Sequence, residues 1–511
     1  MQPTRREFLG LTAAVALGVG ACRDGGESED VGPVTTPSTE PPTSTEAPVG
    51  PNPFTLGVAS GDPDATSVVL WTHVDRPGDA PVELAVELSR DRSFGDIDVT
   101  GTATADPAAA MTARLVVRDL DPDSVYWYRF VLDGHRTPPA RTRTAPAEGD
   151  VPAEPLRLGH LSCMRYSSGY WTALDDVAAT APDLVVHCGD YIYESDRGDV
   201  RPVDEPAATT LDGYRAVWRR YRSDPSLQAA HAVAPWLIVW DDHEVEDNYH
   251  GVAAGDRPAD QELLDRRTAA YRAWWEFTPT RLAPPEGPAL RIHRTVDWGG
   301  LARFVLLDTR QYRDDQPCGD DLGPRCDETA SVTMLGAEQE AWVAEEAVRH
   351  QATWTSVVQQ VVLHQWKFLP GNRLWNLDQW DGYTGARAQL LDVLGRASNP
   401  VVLTGDVHSS WVSDLRTDFD DDGSDAVGVE FVAPGVSSKV PTQLRAAGSF
   451  VELASPHIAW SETSRRGWVL HTVSLEEWTA EYRLVEDAER PGTEIVSEST
   501  WTVGAGERRL S

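Results

Sequence analysis

The chain has 511 residues, with 80 acidic and 45 basic side chains and a formal net charge of −35. So large an excess of acidic residues argues against non-specific nucleic-acid binding, which requires a surface rich in Lys and Arg. The length is enough for two or three domains. A site for anionic ligands would have to overcome the acidic charge locally with cations.

The first residues predict export. Arg5 and Arg6 form a twin-arginine pattern ahead of an apolar stretch, Phe8 to Ala21, which is shorter than the roughly 20 residues that span a bilayer. Cys22 ends a lipoprotein cleavage box and would be the lipidated first residue of the mature chain; ordinary signal cleavage near this point is the alternative. We therefore predict a signal over residues 1–22, and a location at the cell surface or outside the cell.

Two segments separate the signal from the rest of the chain. Residues 23–52 are rich in Pro, Thr and Ser and have little to bury, which predicts a disordered linker. From 53 to 145, short runs such as Val82 to Leu88 and Tyr126 to Phe130 alternate apolar and polar residues between turns. This pattern predicts a small all-β sandwich domain.

A different pattern begins near residue 155 and continues to about 505. Short apolar runs typical of buried strands alternate with helical stretches, which predicts an α/β catalytic domain. The predicted helices are Leu211 to Arg222, Asp260 to Phe277, Gly336 to His350 and Ala386 to Ala397.

Four short groups of residues with polar side chains, which we call polar islands, each follow an apolar run of this α/β region: Leu161 to Arg165, Gly189 to Glu194, Trp240 to Glu244 and Gly405 to His408. Side chains at the ends of buried strands meet where open sheets bind their ligands. The candidate site residues are, in chain order, Cys163, Arg165, Asp190, Tyr193, Asp242, His243, Asp406 and His408. Together they predict a metal site built for hydrolysis.

One set of these residues favours ferric iron. Cys163 would supply a thiolate, Asp190 a carboxylate, Tyr193 a phenolate and His408 an imidazole. A free tyrosine has a pKa near 10, so a phenolate ligand requires a strong Lewis acid such as Fe³⁺, and zinc rarely takes tyrosine.

A second, overlapping set favours calcium. Asp190, Asp242 and Asp406 offer hard carboxylate oxygens, the ligands that Ca²⁺ prefers. Asp190 belongs to both sets, and a bridging carboxylate is how two ions are held about 3.5–4 Å apart. The sequence therefore predicts a two-metal site with Asp190 as the bridge.

Given these motifs, the chain resembles the PhoD-like alkaline phosphatases/phosphodiesterases of the metallophosphoesterase superfamily. The resemblance covers almost all of the mature chain, and its motifs occur together and in the family's order. They are Phe54 to Pro63, Gly189 to Glu194, Trp240 to Glu244, Asp308 to Tyr312 and Leu403 to Trp411.

The resemblance implies a four-layer αββα sandwich with an Fe³⁺ and Ca²⁺ centre held by the residues above, with Gln359 or Gln360 as a further calcium ligand. It also places His243 to protonate the leaving alkoxide and Arg165 to contact phosphate oxygens. The Asp-x-His of most metallophosphoesterases is missing, and Cys163 stands near that place, as in the PhoD-like branch.

The function that the resemblance implies is an exported phosphatase/phosphodiesterase that hydrolyses phosphate esters by metal-activated water. Its substrates would be small-molecule or polymeric phosphate esters, with the preference for monoesters or diesters and the oligomeric state left open. A nucleotidase or phospholipase that uses the same metals is an alternative. A non-catalytic surface protein with a vestigial metal site is a further alternative, but the complete ligand set argues against it.

The remaining cysteines predict one disulfide. Cys318 and Cys326 flank a loop rich in Gly, Asp and Pro, and in an oxidising compartment a local bridge is expected. Cys188 ends an apolar run and is predicted to be a small core residue.

Overall fold

A computed structural model describes residues 50–76, 78–198, 200–251, 253–254, 261–319, 322–349, 352–368 and 375–511. The predicted twin-arginine signal, Cys22 and the linker up to residue 49 lie outside the described residues. Within the described ranges, no helix combines the length and the apolar character that a membrane-crossing segment needs.

The amino-terminal part of the described chain is all β. In the strand Val125–Leu132, for example, Tyr126, Tyr128, Phe130 and Leu132 are buried while the residues between them are partly exposed, as expected for a strand with one face on a core. The prediction of an N-terminal β domain is confirmed. Its strands are β1 Val58–Gly61, β2 Val68–His73, β3 Val82–Ser89, β4 Val99–Asp106, β5 Thr112–Val117, β6 Val125–Leu132, β7 His135–Arg136 and β8 Ala140–Arg143.

From residue 156 onward, strands alternate with helices. The strands are β9 Leu156–Leu161, β10 Leu184–His187, β11 Pro235–Ile238, β12 Tyr249–His250, β13 Ala253–Ala254, β14 Arg294–Trp298, β15 Ala302–Leu306, β16 Leu322–Gly323, β17 Trp354–Val358, β18 Trp375–Asn376, β19 Pro400–Thr404, β20 Ser410–Arg416, β21 Ala426–Val432, β22 Ile458–Glu462, β23 Arg466–Val473, β24 Glu477–Val485 and β25 Ile495–Gly504.

Helices lie between these strands, and the predicted helix Leu211 to Arg222 appears with the same bounds. Asp260, the first residue of the second predicted helix, and His350, the last of the third, lie outside the described residues. The helices are α1 Thr172–Thr180, α2 Leu211–Arg222, α3 Pro225–His231, α4 Gln261–Phe277, α5 Gly336–Glu346, α6 Thr384–Arg396 and α7 Thr442–Ala454.

The first sheet of this region joins the N-terminal strands without a break. Strands β9, β10 and β11 are parallel, and β1 adds to them in parallel, with Ser60 opposite Pro235. On the other side β23, β24 and β25 pair antiparallel to β9 and to one another. The N-terminal domain is therefore hydrogen-bonded directly to the sheet that carries three of the four polar islands.

The second sheet carries the fourth island. Its strand order is β14-β15-β17-β19-β21-β20-β22, with β15, β17, β19 and β21 parallel. Apolar residues of both sheets, such as Leu158, Val186 and Leu403, belong to one core, so the sheets face each other. The opposite face of the second sheet is covered by α5 and α6, through Val343 and Leu390. Strands buried on both faces explain the continuous apolar runs of the sequence.

Candidate metal centre

Glycines let the ends of the two sheets approach each other closely. A Cβ atom on Gly405, after β19, would lie 2.6 Å from the Cβ of Ser162, after β9. A Cβ on Gly189, after β10, would lie 2.5 Å from the Cβ of Asp241, after β11. Any larger residue would push these segments apart. The glycines that precede Asp190 and Asp406 therefore allow the polar islands to meet.

Four predicted iron ligands meet at this edge, and we call them the mixed-donor group: Cys163, Asp190, Tyr193 and His408. Donor atoms of Cys163, Asp190 and His408 lie within 4.8 Å of one another. The Tyr193 hydroxyl donates to Asp190 Oδ2 at 2.6 Å and lies 3.0 Å from His408 Nε2. The structure thus brings all four side chains together.

Neighbouring residues orient two members of the mixed-donor group. His408 Nδ1 lies 2.9 Å from the carbonyl oxygen of Lys439. A carbonyl only accepts, so Nδ1 carries the proton and the lone pair of Nε2 faces Tyr193 and Asp190. The Ser438 hydroxyl donates to the Tyr193 oxygen at 2.7 Å. His408 is thereby held in the form that binds a metal ion.

A second set, which we call the carboxylate group, consists of Asp241, Asp242 and Asp406. One oxygen from each lies within 4.8 Å of the others. Backbone N–H groups fix Asp242: that of Asn248 donates to Oδ2 at 2.6 Å, and that of His243 to Oδ1 at 2.9 Å. The sequence predicted Asp242 and Asp406 here but not Asp241.

The two groups are joined through Asp190 and Asp242. These carboxylates and the imidazole of His243 form a third cluster, also with donor atoms within 4.8 Å. The backbone N–H of His243 lies 3.4 Å from Asp190 Oδ1. Asp190, a member of the mixed-donor group, therefore lies next to Asp242 of the carboxylate group.

Arg310 is fully buried among these carboxylates, and sequence reasoning assigned it no role. Its Nη2 lies 3.1 Å from Asp406 Oδ1 and 4.0 Å from Asp242 Oδ1. Its Nε pairs with Asp241, and its two Nη atoms contact Asp378 at 3.0 and 3.1 Å. This guanidinium holds carboxylates from three different chain segments in fixed positions.

Four of the predicted ligands have left-handed backbone conformations. The φ angles are 55° at Cys163, 57° at Asp190, 65° at Asp406 and 58° at His408. Residues other than glycine rarely adopt such angles, which cost about 1–3 kcal/mol each and concentrate at functional sites. Here the strand-end hydrogen bonds hold the conformation, for example from the N–H of Cys163 to the Gly189 carbonyl at 3.1 Å.

The protonation properties of these groups fit cation binding. Burial raises the pKa of the Cys163 thiol and of the Asp190 carboxyl well above their usual values, and that of Asp406 to about 7. Burial lowers the pKa of His408 to about 4, so its imidazole is neutral. One oxygen of Asp241, Oδ2, is buried without a hydrogen-bond partner. The thiol and carboxyl groups become anionic ligands when a bound cation compensates the cost of burying their charge, and the neutral imidazole can bind a cation as it is. The donor set therefore fits metal ions.

His243 lies beside the centre in a defined orientation. Its Nδ1 is 2.8 Å from Glu194 Oε2, and its ring packs on that of Tyr193 with centroids 4.2 Å apart. Burial lowers the pKa of His243, but the carboxylates of Asp242, Glu194 and Asp190 outweigh it and raise that pKa well above its usual value. The imidazole is therefore a proton donor whose Nδ1–H is held by Glu194.

Arg165 also packs against the ring of Tyr193. Its guanidinium is 4.9 Å from the ring centroid of Tyr193, and its side chain remains 29% exposed. One Nη2 hydrogen bond goes to the carbonyl of Ser195, and Nε lies 3.6 Å from Asp196 Oδ1. Arg165 therefore lies at the edge of the mixed-donor group, partly anchored and partly open to solvent.

The glutamines expected near calcium have other partners. Gln359 Oε1 accepts a hydrogen bond from the Trp380 indole at 2.7 Å, and Gln360 Oε1 accepts from the backbone of Thr309 at 3.0 Å. Both amide oxygens accept hydrogen bonds from residues of the surrounding loops, so we place neither glutamine among the calcium ligands. Gln379, which sequence reasoning missed, donates to Asp406 Oδ2 at 2.7 Å.

Glu244 is a second buried residue to which sequence reasoning assigned no role. Its carboxylate accepts N–H groups from Asp190 at 3.0 Å, Tyr191 at 2.6 Å and Asp241 at 2.8 Å, so it links two of the polar islands. Burial raises its pKa to about 8. Its place in the Asp-Asp-His-Glu motif was a usable signal, whereas nothing in the local sequence around Gln379 or Ser438 marked them.

Two adjoining groups of buried donors at the strand ends of facing sheets are the arrangement expected of a class of protein, the metal-dependent hydrolases. Comparison with known proteins narrows the class to a family. Residues 158–482 match the family described as "PhoD-like phosphatase", and residues 39–146 match "PhoD-like phosphatase, N-terminal domain".

Individual relatives agree with this match. The chain is 38% identical over 471 residues to alkaline phosphatase D of Bacillus subtilis (strain 168), which covers 88% of this chain and 80% of that protein. It is also similar to a solved structure of PhoD, with a TM-score of 0.86, 36% identity, and coverage of 91% of this chain and 93% of that one. The chain therefore belongs to the PhoD-like phosphatase family. The predicted resemblance is confirmed, as is the predicted enzyme class, a hydrolase of phosphoric ester bonds.

Proposed function

We propose that this protein hydrolyses phosphate esters with ferric iron in the mixed-donor group and calcium in the carboxylate group. The observation that carries the proposal is the sharing of Asp190 and Asp242 between overlapping clusters of donor atoms. When bound, the two ions supply Lewis acidity that polarises the phosphoryl group and activates water. They also supply the local positive charge that an acidic protein needs to take an anionic substrate.

The donor chemistry supports these two assignments. Thiolate, phenolate and imidazole donors in the mixed-donor group favour Fe³⁺, because a phenolate requires a strong Lewis acid. Asp190, Asp242 and Asp406 offer only carboxylate oxygens, which suit Ca²⁺. Asp241 pairs with Arg310 through one oxygen, and we assign it to the support of this set.

His243 is proposed to donate a proton to the leaving alkoxide. Glu194 accepts a hydrogen bond from Nδ1–H, so the proton available to a substrate is the one on Nε2. The same carboxylate holds the ring against rotation, with Tyr193 packed on its face. A general acid of this kind must already be oriented when the ester bond breaks.

Arg165 is proposed to contact phosphate oxygens. Its anchors, the Ser195 carbonyl and the Tyr193 ring, hold the guanidinium beside the mixed-donor group while part of it stays open to solvent. A planar guanidinium can present two parallel N–H donors to a phosphoryl group.

The wider setting is proposed from the sequence. Residues 1–22 would direct export through the twin-arginine pathway, and a lipid on Cys22 would be the one attachment to a membrane, with residues 23–52 as a linker. Residues 53–145 and 155–505 would be the N-terminal and catalytic domains. For the catalytic domain we propose the four-layer αββα arrangement, which the two facing sheets and the α5–α6 helices support.

One experiment tests the enzyme and its metals together. Iron and calcium are measured in the purified protein, and hydrolysis of chromogenic phosphate monoesters and diesters is followed before and after treatment with a calcium chelator. We expect both metals, and activity that falls with the chelator and returns with added calcium. A fully active protein that contains only zinc would contradict the metal assignment, while an inactive protein loaded with both metals would contradict the function.

A further inference from the structure

Glu430 of β21 is a fully buried residue that belongs to neither donor group of the metal centre, yet its carboxylate accepts four hydrogen bonds. Oε1 accepts from the backbone N–H of Leu363 at 2.9 Å and from the hydroxyl of Thr404 at 2.6 Å. Oε2 accepts from the backbone N–H of His364 at 2.9 Å and from its Nδ1–H at 2.6 Å. Four donors use the full accepting capacity of a carboxylate, so this group is fixed in one position.

Neighbouring side chains aim two of these donors at Glu430. The indole N–H of Trp366 donates to His364 Nε2 at 2.8 Å, so the proton of the imidazole is on Nδ1, which faces the carboxylate. The hydroxyl of Thr404 accepts from Gln359 Nε2 at 3.3 Å, which leaves its own proton for Glu430. Burial raises the pKa of Glu430, but His364 and Thr404 outweigh it and hold that pKa below its usual value. The carboxylate is therefore ionised, and hydrogen bonds to an ionised group are about twice as strong as neutral ones.

The donors come from two chain segments that both adjoin the metal centre. Thr404 is the last residue of β19, and Asp406 follows it two residues later. The other donors belong to the loop after β17, in which Val362 lies in the same apolar cluster as Val407. Val407 stands between Asp406 and His408 in the chain. The buried carboxylate is thus connected to this ligand segment by a hydrogen bond on one side and by packing on the other.

The ligand segment needs such support because its backbone is strained. Asp406 and His408 have φ angles of 65° and 58°, which residues other than glycine rarely adopt. Strained residues persist only where the surrounding structure fixes them. The pairing of β19 with β21 ends at Thr404, so both ligands lie beyond the last paired residue of their strand. Contacts with side chains must therefore hold the conformation that the sheet itself does not impose.

We propose that Glu430 is a positioning residue of the metal centre, which holds Asp406 and His408 in place through Thr404 and the loop after β17. Asp406 belongs to the carboxylate group and His408 to the mixed-donor group, so one buried side chain supports both groups. Arg310, by contrast, contacts the carboxylate group. The effect of Glu430 on metal binding depends on the proposed function, in which these two residues are ligands of calcium and of iron.

The first test is Glu430→Gln, which keeps the shape of the side chain but replaces one accepting oxygen with an NH₂ group. Calcium is removed with a chelator and titrated back by calorimetry, and the visible spectrum of the iron is recorded. We expect the calcium Kd to rise about 10-fold, the lower end of the usual loss when a residue that orients a metal ligand is changed. The iron band should shift because His408 moves. The control Glu276→Gln changes another fully buried glutamate, held by Arg215 and Arg272, and should lower the Tm without changing the Kd or the band. Equal changes in the two variants, or none in Glu430→Gln, would overturn the proposal.

The second test isolates the hydrogen bond to Thr404. Thr404→Val removes the hydroxyl at nearly constant shape and should weaken calcium binding, whereas Thr404→Ser keeps the hydroxyl and should bind calcium as the wild type does. In the double variant with Glu430→Gln, the losses of calcium affinity should not add, because both changes break the same contact. Fully additive losses, or equal affinities in the valine and serine variants, would contradict the proposal, and the Thr404 pair decides if Glu430→Gln does not fold. A wild-type protein that binds neither metal would instead contradict the metal assignment.

Discussion

The mixed-donor group and the carboxylate group adjoin each other but are supported in different ways. Around the mixed-donor group, the supporting hydrogen bonds come from neutral groups, the Ser438 hydroxyl and the Lys439 carbonyl, and the Arg165 guanidinium contacts it through the ring of Tyr193. Around the carboxylate group, support comes from the charged side chain of Arg310 and the amide of Gln379. One group is held by neutral hydrogen bonds, and the other contains its own cation.

This difference bears on the proposed binding of two unlike ions in adjoining groups. Neutral supports leave the full anionic charge of the mixed donors for a bound cation, which favours tight retention of a trivalent ion. Arg310 neutralises part of the carboxylate charge in advance, so a divalent ion in that group should be held less tightly and exchange more readily. The predictions below test whether the two groups behave as separate sites.

The largest effect is expected where the groups meet. Asp190→Ala removes the carboxylate of the mixed-donor group that is also a proposed calcium ligand, so iron, calcium and hydrolysis should all be lost. The decrease in activity should exceed the roughly 10–100-fold that loss of a supporting residue causes. Metal analysis and hydrolysis of a chromogenic ester measure it. The control Asp183→Asn, which changes a buried aspartate paired with Arg141 and Arg143, should keep both metals. Near-normal metal content in the Asp190→Ala protein would refute the bridge.

A smaller and selective effect is expected at Arg310. Arg310→Gln removes the guanidinium that orients Asp406 and Asp241, so calcium affinity should fall about 10–100-fold, the usual result of losing a residue that orients metal ligands. Iron content should stay near that of the wild type. Calcium titration by calorimetry, with iron measured in the same sample, separates the two groups.

The matched control for this variant is Arg313→Gln. Arg313 contacts the same partner, Asp378, at 2.6 Å, but no contact joins it to the carboxylate group. Its calcium affinity should stay near that of the wild type. Equal loss of calcium in the two variants would mean that Arg310 acts only through general stability.

The third prediction concerns the colour of the mixed-donor group. If Tyr193 binds Fe³⁺ as phenolate, the purified protein should be coloured by ligand-to-metal charge transfer, and Tyr193→Phe should shift or weaken the visible band while the ring still packs on His243. His408→Ala should weaken iron binding itself. Absorption spectra at equal iron content measure the effect. The control Tyr221→Phe, in which the lost hydroxyl binds Asp196 at 3.1 Å, should keep the wild-type spectrum.

The smallest effect is expected at the disulfide, which the structure confirms between Cys318 and Cys326, while Cys163 and Cys188 are free. Replacing both bridged cysteines with serine should lower the free energy of unfolding by about 2–3 kcal/mol. Because β16 in this loop pairs with β18, just before Asp378 and Gln379, calcium affinity should fall slightly and iron content should not change. Chemical denaturation and peptide mapping under non-reducing conditions check both points, and free thiols at both positions would refute the bridge.

The sequence located the centre because its pattern is local. A β-branched run followed by a polar residue identifies a buried strand end, and this was enough for Asp190, Asp242, Asp406 and His408. It gave Arg310 no role, although the motif Asp308 to Tyr312 contains it, because the segment after β15 becomes a neighbour of the other islands only when the second sheet forms. It also could not tell which way Gln359 and Gln360 point, since adjacent residues face opposite sides.

The ion pairing of the arginines on α2 was equally beyond the sequence. Arg215 and Arg222 lie on one helix with similar neighbours in sequence, and both are basic residues of an ordinary amphipathic pattern. Only the tertiary structure shows that Glu276 pairs with the first and that, among the described residues, no acidic side chain pairs with the second. Ion pairing between distant segments depends on packing, which no local pattern encodes.

The left-handed conformations at Cys163, Asp190, Asp406 and His408 have a consequence for protein engineering. Glycine adopts these angles without the steric strain of about 1–3 kcal/mol, which exceeds the roughly 0.5–1 kcal/mol that its greater freedom in the unfolded chain costs. At each position a change to glycine should therefore raise the melting temperature of the metal-free chain. A screen that selects variants for heat resistance alone would therefore favour the loss of the very residues that make the centre. Any attempt to raise the thermal stability of this enzyme should measure catalytic activity together with melting temperature.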